Sequence, residues 1–238
     1  MPRLSLIIPA YNEAERLPSL LESLEPARMA LGPELEVIVA DNASSDATSA
    51  LALAAGARVA RVDKRAIAAA RNGGAAIATG EILAFVDADS RVHPRALQAI
   101  ASRMSDPSVV GGATGVLMER WSAGIATVYA AALPVVWLTG FDSGVVFCRR
   151  SDFTALGGYD ESRLVAEDVH FLARLKRLGA QRGQRLVRLR SVKTVTSTRK
   201  FDRYGDWHYF RMAGALVWSG LRDPREFERR VRDYWYTR

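Results

Sequence analysis

The chain has 238 residues, of which 49% are hydrophobic and 25% are charged. This composition is ordinary for a globular protein and excludes a wholly disordered chain, a collagen and a multi-span membrane protein. The length fits one α/β domain, alone or with a small appendage. The single cysteine, Cys148, cannot form an intrachain disulfide, and with three histidines a Cys/His zinc site is not expected. A reducing, cytoplasmic setting is therefore the default expectation.

The charge is distributed unevenly. Residues 1–170 carry 15 Lys and Arg against 20 Asp and Glu, a net −5, whereas residues 171–238 carry 18 against 6, a net +12. A basic region attracts nucleic acid, anionic lipid or phosphorylated ligands, and charge alone does not distinguish these partners. No nucleic-acid-binding motif accompanies the basic region, so nucleic acid is not an expected partner.

In the first half of the chain, apolar runs with β-branched residues alternate with segments of helical spacing. This alternation indicates a doubly wound, mostly parallel sheet with helices on both faces, which binds ligands at the carboxyl ends of its strands. The predicted strands are Leu4–Pro9, Leu35–Ala40, Arg58–Val62 and Ile82–Val86, and the predicted helices are Ala14–Leu24, Asp46–Ala55, Ala66–Thr79 and Pro94–Met104.

The second half is less regular. It contains one predicted helix at Asp168–Leu178 and three predicted strands, at Gly144–Arg149, Arg185–Leu189 and Val192–Ser197. The longest uncharged stretch, residues 121–141, is just long enough to cross a bilayer, but it is rich in Gly and Ala and is interrupted by a proline. We expect a buried or interface helix there. The opening segment does not resemble a signal peptide, because its apolar run is short and is followed by acids.

Two carboxylates, Asp87 and Asp89, follow the strand at Ile82–Val86 and flank Ala88. On a turn at a strand end they can converge on one hard cation, leaving it free to take diphosphate oxygens and water. Mg²⁺ and Mn²⁺ suit such a site. The alternative is an ordinary solvated turn, in which Asp is common.

Polar side chains also end the first two strands: Tyr11, Asn12 and Glu13 follow the first, and Asp41 and Asn42 follow the second. An aromatic ring can stack on a nucleobase, and a carboxylate can accept hydrogen bonds from a base N–H or a ribose hydroxyl. Because parallel strands end at the same edge of a sheet, these groups together predict a nucleotide cleft. Each alone is equally consistent with helix capping.

Two further polar positions stand out. Arg71 interrupts an Ala-rich helix, where it could pair with Asp41 or with a phosphate, or simply lie at the surface. Glu167 and Asp168 begin a helix whose first turn favours acids, so they either cap it or place a general base beside a hydroxyl.

These residues belong to segments that strongly resemble the family-2 glycosyltransferases. The segments occur in the order and at the spacing usual for that family, over about residues 4–178. They are IIPAYNE at 7–13, VIVADNASSDAT at 37–48, AAARNGGAAIATGEILAFVDADS at 68–90, SGVVFCRRSDFTALGGYDE at 143–161 and AEDVHFLARL at 166–175.

The resemblance implies a GT-A fold and a metal-assisted, inverting transfer from a nucleotide-diphosphate sugar to a hydroxyl acceptor, in cell-envelope, polysaccharide or glycolipid synthesis. It implies a donor half at 1–111 and an acceptor half at 112–198, with 199–238 as a basic helical extension. By the same resemblance, Asp168 is the catalytic base, Asp89 with Asp87 holds Mg²⁺ or Mn²⁺, and Gly144 and Glu167 belong to the acceptor region. The implied nucleotide-sugar contacts are Pro9, Ala10, Tyr11, Glu13, Asp41, Arg71, Asp87 and Ala88.

The chain departs from the processive members of that family, because it lacks their Q-x-x-R-W signature and the long transmembrane helices that follow their catalytic domain. Transfer of a single sugar is therefore favoured. The segment STRKF at 197–201 predicts a basic lid over the diphosphate through Arg199 and Lys200, with His208 as a weaker contact to diphosphate or metal.

The chain lacks the motifs of two rival enzyme classes. A sugar-nucleotide pyrophosphorylase needs a Gly-rich phosphate loop after its first strand, and a dehydrogenase needs G-x-G-x-x-G. The remaining alternative is a noncatalytic nucleotide-sugar or anionic-membrane binding protein, against which the intact D-x-D and E-D pairs argue.

Residues 199–238 mix arginine with Trp, Tyr and Phe. That mixture suits a lipid headgroup layer and predicts peripheral docking on the cytoplasmic membrane face, with a lipid-linked acceptor. The alternative is that these aromatic residues pack the extension onto the domain or form a homodimer contact.

Overall fold

The computed structural model describes residues 3–163 and 166–209. The predictions made for most of the basic aromatic extension, residues 210–238, lie outside the described residues.

The predicted parallel half of the sheet is confirmed. Strands β1 (Leu4–Ala10), β2 (Leu35–Asp41), β3 (Arg58–Arg61) and β4 (Ile82–Phe85) lie in the order β3-β2-β1-β4, and all three neighbouring pairs are parallel. Their carboxyl ends therefore meet at one edge of the sheet, as the alternation of strands and helices predicts.

Helices connect these strands across both faces. They are α1 (Leu17–Ser23), α2 (Glu25–Leu31), α3 (Thr48–Ala54), α4 (Ile67–Ile77) and α5 (Ala96–Arg103). The helix predicted at Ala14–Leu24 is the shorter α1, and α2, which follows it directly, was not predicted. Pro26 lies in the first turn of α2, where its missing N–H costs nothing, whereas in a continuous helix its ring would clash with the preceding turn.

The second half of the sheet mixes strand directions. Strands β5 (Ser90–Arg91), β6 (Val109–Met118), β7 (Val146–Arg149) and β8 (Arg185–Thr196) extend the order from β4 to β4-β7-β6-β8-β5. β7 is antiparallel to β4 and β6, β5 is antiparallel to β8, and β6 is parallel to β8. The eight-stranded sheet is therefore parallel on one side and mixed on the other.

Two predictions fail in this half. Strand β6 was not predicted from sequence, because its glycines weaken the strand pattern. One of these glycines, Gly112, lies so close to β8 that an added Cβ would overlap the carbonyl oxygen of Val187. The strands predicted at Arg185–Leu189 and Val192–Ser197 are one strand. The apparent break between them is an irregularity of register, since Thr114 pairs with Leu189 and Val116 with Thr194.

The remaining helices are α6 (Ala123–Thr139), α7 (Arg150–Ala155), α8 (Glu167–Gln181) and α9 (Arg199–Tyr204). α8 confirms the helix predicted at Asp168–Leu178. α6 occupies the uncharged stretch, and most of its described side chains are exposed, so it is not a core helix; the other expectation, an interface helix, stays a prediction. In the part of the chain that the structure describes, no helix is long and apolar enough to cross a membrane.

The core has two parts, one on each face of the sheet. Alternate residues of a strand point to opposite faces, and in β1 Leu6 and Ile8 join one buried cluster while Ile7 joins the other. The first cluster includes side chains of α1, α2 and α5, and the second includes side chains of α4, α7 and α8. Helices therefore cover both faces of the sheet and leave its carboxyl edge open for a site.

Candidate functional site

A cavity of about 330 Å³ opens at the carboxyl edge of the parallel strands. Seven of the residues predicted from sequence line it, namely Pro9, Glu13, Asp87, Ala88, Asp89, Arg199 and Lys200. They come from the ends of β1 and β4 and from the start of α9. The structure thus brings the D-x-D turn, the end of the first strand and the basic segment into one place.

Arg199 bridges two acids across this cavity. Its Nη2 lies 3.1 Å from Oδ2 of Asp89, and its Nη1 lies 3.0 Å from Oε1 of Glu13, whose side chain is buried. Although burial disfavours the charged guanidinium, Asp89 and Glu13 keep the pKa of Arg199 above its ordinary value. A cation therefore already occupies the space beside the second carboxylate of the D-x-D turn.

Arg71 forms the second charged centre. It is buried, and it contacts three acids: Nη2 lies 2.8 Å from Oδ1 of Asp87, while Nη1 lies 2.7 Å from Oε1 of Glu167 and 2.8 Å from Oδ1 of Asp168. Of the partners predicted from sequence, the structure does not bring Asp41 to this arginine. Arg71 instead joins the D-x-D turn to the first turn of α8.

The Arg71 network shifts the proton affinity of Asp168. Burial raises the pKa of Asp168 to about 7, Arg71 opposes the rise, and the negative charges of Glu167 and Asp87 add to it. A carboxyl group that titrates near neutrality is suited to accepting a proton at physiological pH. The residue before α8, Ala166, has a φ of 55°, a left-handed conformation that is costly for alanine and sets the direction in which this helix begins.

The polar groups at the ends of β1 and β2 form a separate cluster. Asp41 is buried and accepts hydrogen bonds from the backbone N–H of Ser44, at 3.0 Å, and from the hydroxyl of Ser49. Tyr11 is partly exposed, and the guanidinium of Arg65 lies 4.6 Å from the centre of its ring. Tyr11 and Arg65 thus form an aromatic and cationic surface that a nucleobase can contact; sequence reasoning missed Arg65.

Two of the residues that follow or end the first two strands make contacts that support the fold. The amide nitrogen of Asn42 donates to the carbonyl oxygens of Val62 and Lys64, so this side chain holds a loop. Ala10 is buried beside Asp41 in the β1–β2 pair.

Gly144 and His208 are not among the residues that line the cavity. An added Cβ at Gly144 would overlap the hydroxyl of Thr114, so the glycine permits a close approach of the two chain segments. His208 is buried, and its ring centre lies 5.1 Å from that of Phe201, which itself lines the cavity.

One wall of the cavity comes from residues that sequence reasoning missed. Met118 ends β6, Thr196 ends β8 and Ser143 precedes β7, whereas Ser197, which also lines the cavity, belongs to the predicted STRKF segment. The end of the predicted strand Val192–Ser197 carried a usable signal, since ligands bind at strand ends. No comparable signal existed for β6, because that strand was not recognised.

The donor set fits a hard cation that is completed by its ligand. In residues 3–163 and 166–209 there is no group of three or more His, Cys, Asp or Glu side chains that could hold a metal ion. Asp87 and Asp89 supply carboxylate oxygens on one cavity wall. Two carboxylates suit Mg²⁺ or Mn²⁺ when diphosphate oxygens and water provide the remaining ligands.

Comparison with known structures places this sheet and its acid-lined edge in the GT-A class of glycosyltransferase folds. The mannosyltransferase PcManGT from Pyrobaculum calidifontis, solved with GDP-Man and Mn²⁺, superposes with a TM-score of 0.65 at 23% identity, covering 82% of this chain and 56% of that one. Glucosyl-3-phosphoglycerate synthase from Mycobacterium tuberculosis, solved with Mn²⁺, UDP and glucosyl-3-phosphoglycerate, superposes with a TM-score of 0.59 at 21% identity, covering 94% and 82%.

Residues 5–148 match the model of glycosyl transferase family 2, and the chain belongs to that family. Among curated relatives, a validoxylamine A glucosyltransferase from Streptomyces hygroscopicus subsp. jinggangensis is 33% identical over 115 residues, which are 45% of this chain and 27% of the relative. An uncharacterized protein of Mycobacterium tuberculosis, MT1568, is 35% identical over 112 residues, which are 45% of this chain and 34% of that protein. The match thus spans about a third or less of these relatives.

Proposed function

We propose that this protein transfers a single sugar from a nucleotide-diphosphate sugar to a hydroxyl acceptor, with inversion at the anomeric carbon. The observation that carries the proposal is the Arg71 network, which joins Asp87 of the D-x-D turn, a residue of the cavity lining, to Asp168 of α8, which is not part of that lining. The proposed donor-binding acid and the proposed proton acceptor are linked through one side chain, which supports their acting on one bound molecule.

The nucleotide is proposed to bind along the ends of β1 and β2. Tyr11 is suited to stacking on the base, Asp41 to accepting a base N–H, and Pro9 and Glu13 to bordering the ribose. The related structures described above contain GDP-Man or UDP, which supports a nucleotide-diphosphate donor. Asp89, with Asp87, would hold Mg²⁺ or Mn²⁺, and a bound cation supplies positive charge that stabilises the departing diphosphate.

Asp168 is proposed as the general base. Its carboxylate takes the proton of the acceptor hydroxyl, and the hydroxyl oxygen then attacks the anomeric carbon from the face opposite the diphosphate. The bond between that carbon and the diphosphate oxygen breaks as the new glycosidic bond forms, which inverts the configuration. A pKa near 7 supports this role, because the carboxylate is available at neutral pH and still basic enough to accept the proton.

Arg199 and Lys200 are proposed as a basic lid. While no donor is bound, Arg199 neutralises Asp89 and Glu13. When a cation binds Asp89, the guanidinium is released and can pair with diphosphate oxygens, for which its planar geometry is suited.

The wider assignments are also proposals. Residues 1–111 would bind the donor and residues 112–198 the acceptor, with Gly144 and Glu167 bordering the acceptor. The reaction would belong to cell-envelope, polysaccharide or glycolipid synthesis at the cytoplasmic membrane face, with a lipid-linked acceptor and without nucleic acid as a partner. If residues 199–238 do not contact the membrane, the alternative is that they form a homodimer contact. The basic, aromatic composition of residues 199–238 supports membrane proximity.

A donor screen tests the central proposal. UDP-, GDP- and dTDP-sugars are added with and without Mn²⁺, and thermal unfolding and donor hydrolysis are measured. We expect one donor class to raise the melting temperature and to be hydrolysed slowly, only with the metal, because a ligand that binds the folded state stabilises it.

In the same screen Asp89→Ala should abolish the metal-dependent stabilisation. The exposed-turn variant Asp160→Ala should retain it, since Asp160 contacts Ser162 and lies outside the cavity. If the folded protein responds to no nucleotide sugar under any of these conditions, the proposal is wrong.

A further inference from the structure

Helix α6 is apolar on every side and still exposed. No charged residue lies between Arg120 and Asp142. Trp137 is 72% exposed and Leu138 is 85% exposed, and most of the helix shares this exposure. A helix that is apolar all round is normally covered by a protein core or by lipid, so the exposed surface of α6 calls for a partner.

The helix lies at the rim of the functional cavity. Met118, five residues before α6, and Ser143, four residues after it, both line the cavity. The chain therefore leaves the cavity wall, forms a helix of 17 residues and returns to the same wall. Both ends of α6 are therefore tethered within five residues of the cavity wall.

Cations border the C-terminal end of α6. The guanidinium of Arg190 lies 5.5 Å from the centre of the Trp137 ring, and the amine of Lys176 donates to the carbonyl oxygen of Thr139 at 2.8 Å. Both cations are exposed, and within the described residues neither forms an ion pair with a carboxylate. The nearest acid along the chain, Asp142, is engaged by Arg188 at 2.8 Å.

We propose that α6 is a membrane-contact helix that inserts its exposed apolar side chains into an anionic lipid surface. Trp137 would lie at the headgroup level, with Arg190 and Lys176 on lipid phosphates. Such docking presents the cavity to the bilayer, so that the acceptor hydroxyl belongs to a lipid-linked molecule; this consequence, unlike the docking itself, rests on the proposed function.

Charge favours lipid over the protein alternatives. A second copy packed on α6 about a twofold axis would bring two sets of Arg190 and Lys176 together with no described acid to offset them. Residues 210–238 of the same chain carry seven Arg against four Asp and Glu, so they would add positive charge to a positive border. An anionic lipid surface offers an apolar interior for the exposed side chains of α6 and negative charge for the cations at its border.

Vesicle co-sedimentation of the full chain tests the docking. The probes are vesicles of phosphatidylcholine alone and of phosphatidylcholine mixed with phosphatidylglycerol, at low and high salt. We expect binding to the anionic vesicles that weakens with salt. Trp137→Ser with Leu138→Ser should weaken binding by about tenfold or more, because two large apolar side chains no longer leave water.

The chain offers matched controls. Met29 and Leu53 are exposed apolar residues outside α6, so Met29→Ser with Leu53→Ser removes similar surface elsewhere and should bind like the wild type. Lys176→Glu with Arg190→Glu should abolish the preference for anionic vesicles. All variants are first checked for wild-type thermal unfolding.

A fluorescent label identifies the inserted helix. The single native cysteine, Cys148, is buried, so a dye attached to Leu138→Cys reports that site alone. Its emission should shift to the blue on anionic vesicles, whereas a dye on Leu53→Cys should not respond.

Three outcomes overturn the proposal: vesicle binding that survives Trp137→Ser with Leu138→Ser, a concentration-dependent dimer that these substitutions abolish, or a blue-shifted Leu138→Cys dye without vesicles. None of the readouts requires donor or turnover, so failure here is distinct from failure of the glycosyl-transfer proposal.

Discussion

At the scale of single residues, one arginine organises the site. Arg71 is buried and contacts Asp87, Glu167 and Asp168. One positive charge shared by three acids leaves an excess of negative charge, which favours the protonated form of a desolvated carboxyl group. The desolvated position of Asp168 and the partial neutralisation by Arg71 together bring its pKa near 7.

The first prediction at this scale concerns Asp168. Asp168→Asn keeps the size of the side chain but cannot accept a proton, so turnover should fall by about 10² or more while donor binding is retained. Steady-state kinetics and donor-dependent melting shifts measure the two effects separately. Asp160→Asn, a surface substitution, serves as the control. Near-normal turnover by a folded Asp168→Asn enzyme would remove Asp168 from the mechanism.

The same carboxyl group predicts the pH dependence of wild-type turnover. Below its raised pKa the group holds a proton and cannot act as a base, so kcat should increase as the pH rises through about 7 and then level off. A profile that is flat between about pH 5 and about pH 8 contradicts the assignment, provided that the enzyme stays folded across this range.

At the scale of elements, Glu36 ties β2 to its neighbours. Its carboxylate accepts hydrogen bonds from the hydroxyl of Ser5 on β1, from the backbone N–H of Thr79 at 2.9 Å, and from Arg58 on β3. Burial alone would raise the pKa of Glu36, but these donors favour the ionised form and lower it below its ordinary value. One side chain thus links three strands and the loop that precedes β4.

Glu36→Gln should lower the free energy of unfolding at neutral pH by about 1–2 kcal/mol, because three donors lose a charged acceptor. A carboxyl group with a lowered folded-state pKa stabilises the fold above its ordinary pKa, and this contribution is lost as the pH falls through the folded-state pKa. The difference between Glu36→Gln and wild type should therefore shrink in acid. Urea unfolding at several pH values measures it, with the exposed Glu34→Gln as the control.

Helices and strands were predicted correctly where the spacing of apolar residues along the sequence was regular. The buried apolar runs of β1 and β4 and the apolar face of α8 were predicted from sequence, because each buries side chains at the spacing of its own element. β6 was not, because its glycines are explained only by the approach of β7 and β8. The break between α1 and α2 falls at Leu24, where the predicted helix also ends, but the sequence reading did not recognise α2 beyond it.

At the scale of the whole molecule, Arg199 connects the end of the described chain to its beginning. It pairs with Glu13, which is 186 positions away, and with Asp89. The pairing holds the start of α9 against the cavity and places a positive charge beside the carboxylate that we propose as a metal ligand. In the donor-free protein, the guanidinium of Arg199 and a metal ion would therefore compete for the carboxylate of Asp89.

Arg199→Gln should remove this competition and strengthen Mn²⁺ binding in the absence of nucleotide, by about fivefold or less, because a partly exposed ion pair contributes up to about 1 kcal/mol. Manganese electron paramagnetic resonance measures the free and bound metal directly. The exposed Arg103→Gln, outside the cavity, is the control. Unchanged or weaker Mn²⁺ binding by folded Arg199→Gln would show that the guanidinium does not compete with the metal.

The sequence by itself determined the parallel half of the sheet, the GT-A class and the segments that meet at the cavity, because apolar periodicity and motif order are local properties of the chain. Only the tertiary structure decided the partners of Arg71 and Arg199 and the mixed directions of β5 to β8. It also decided the exposure of α6, whose uncharged residues fit a core equally well. These features depend on contacts between segments far apart in the chain, and on which face of each element the rest of the fold covers, and neither is encoded in local spacing.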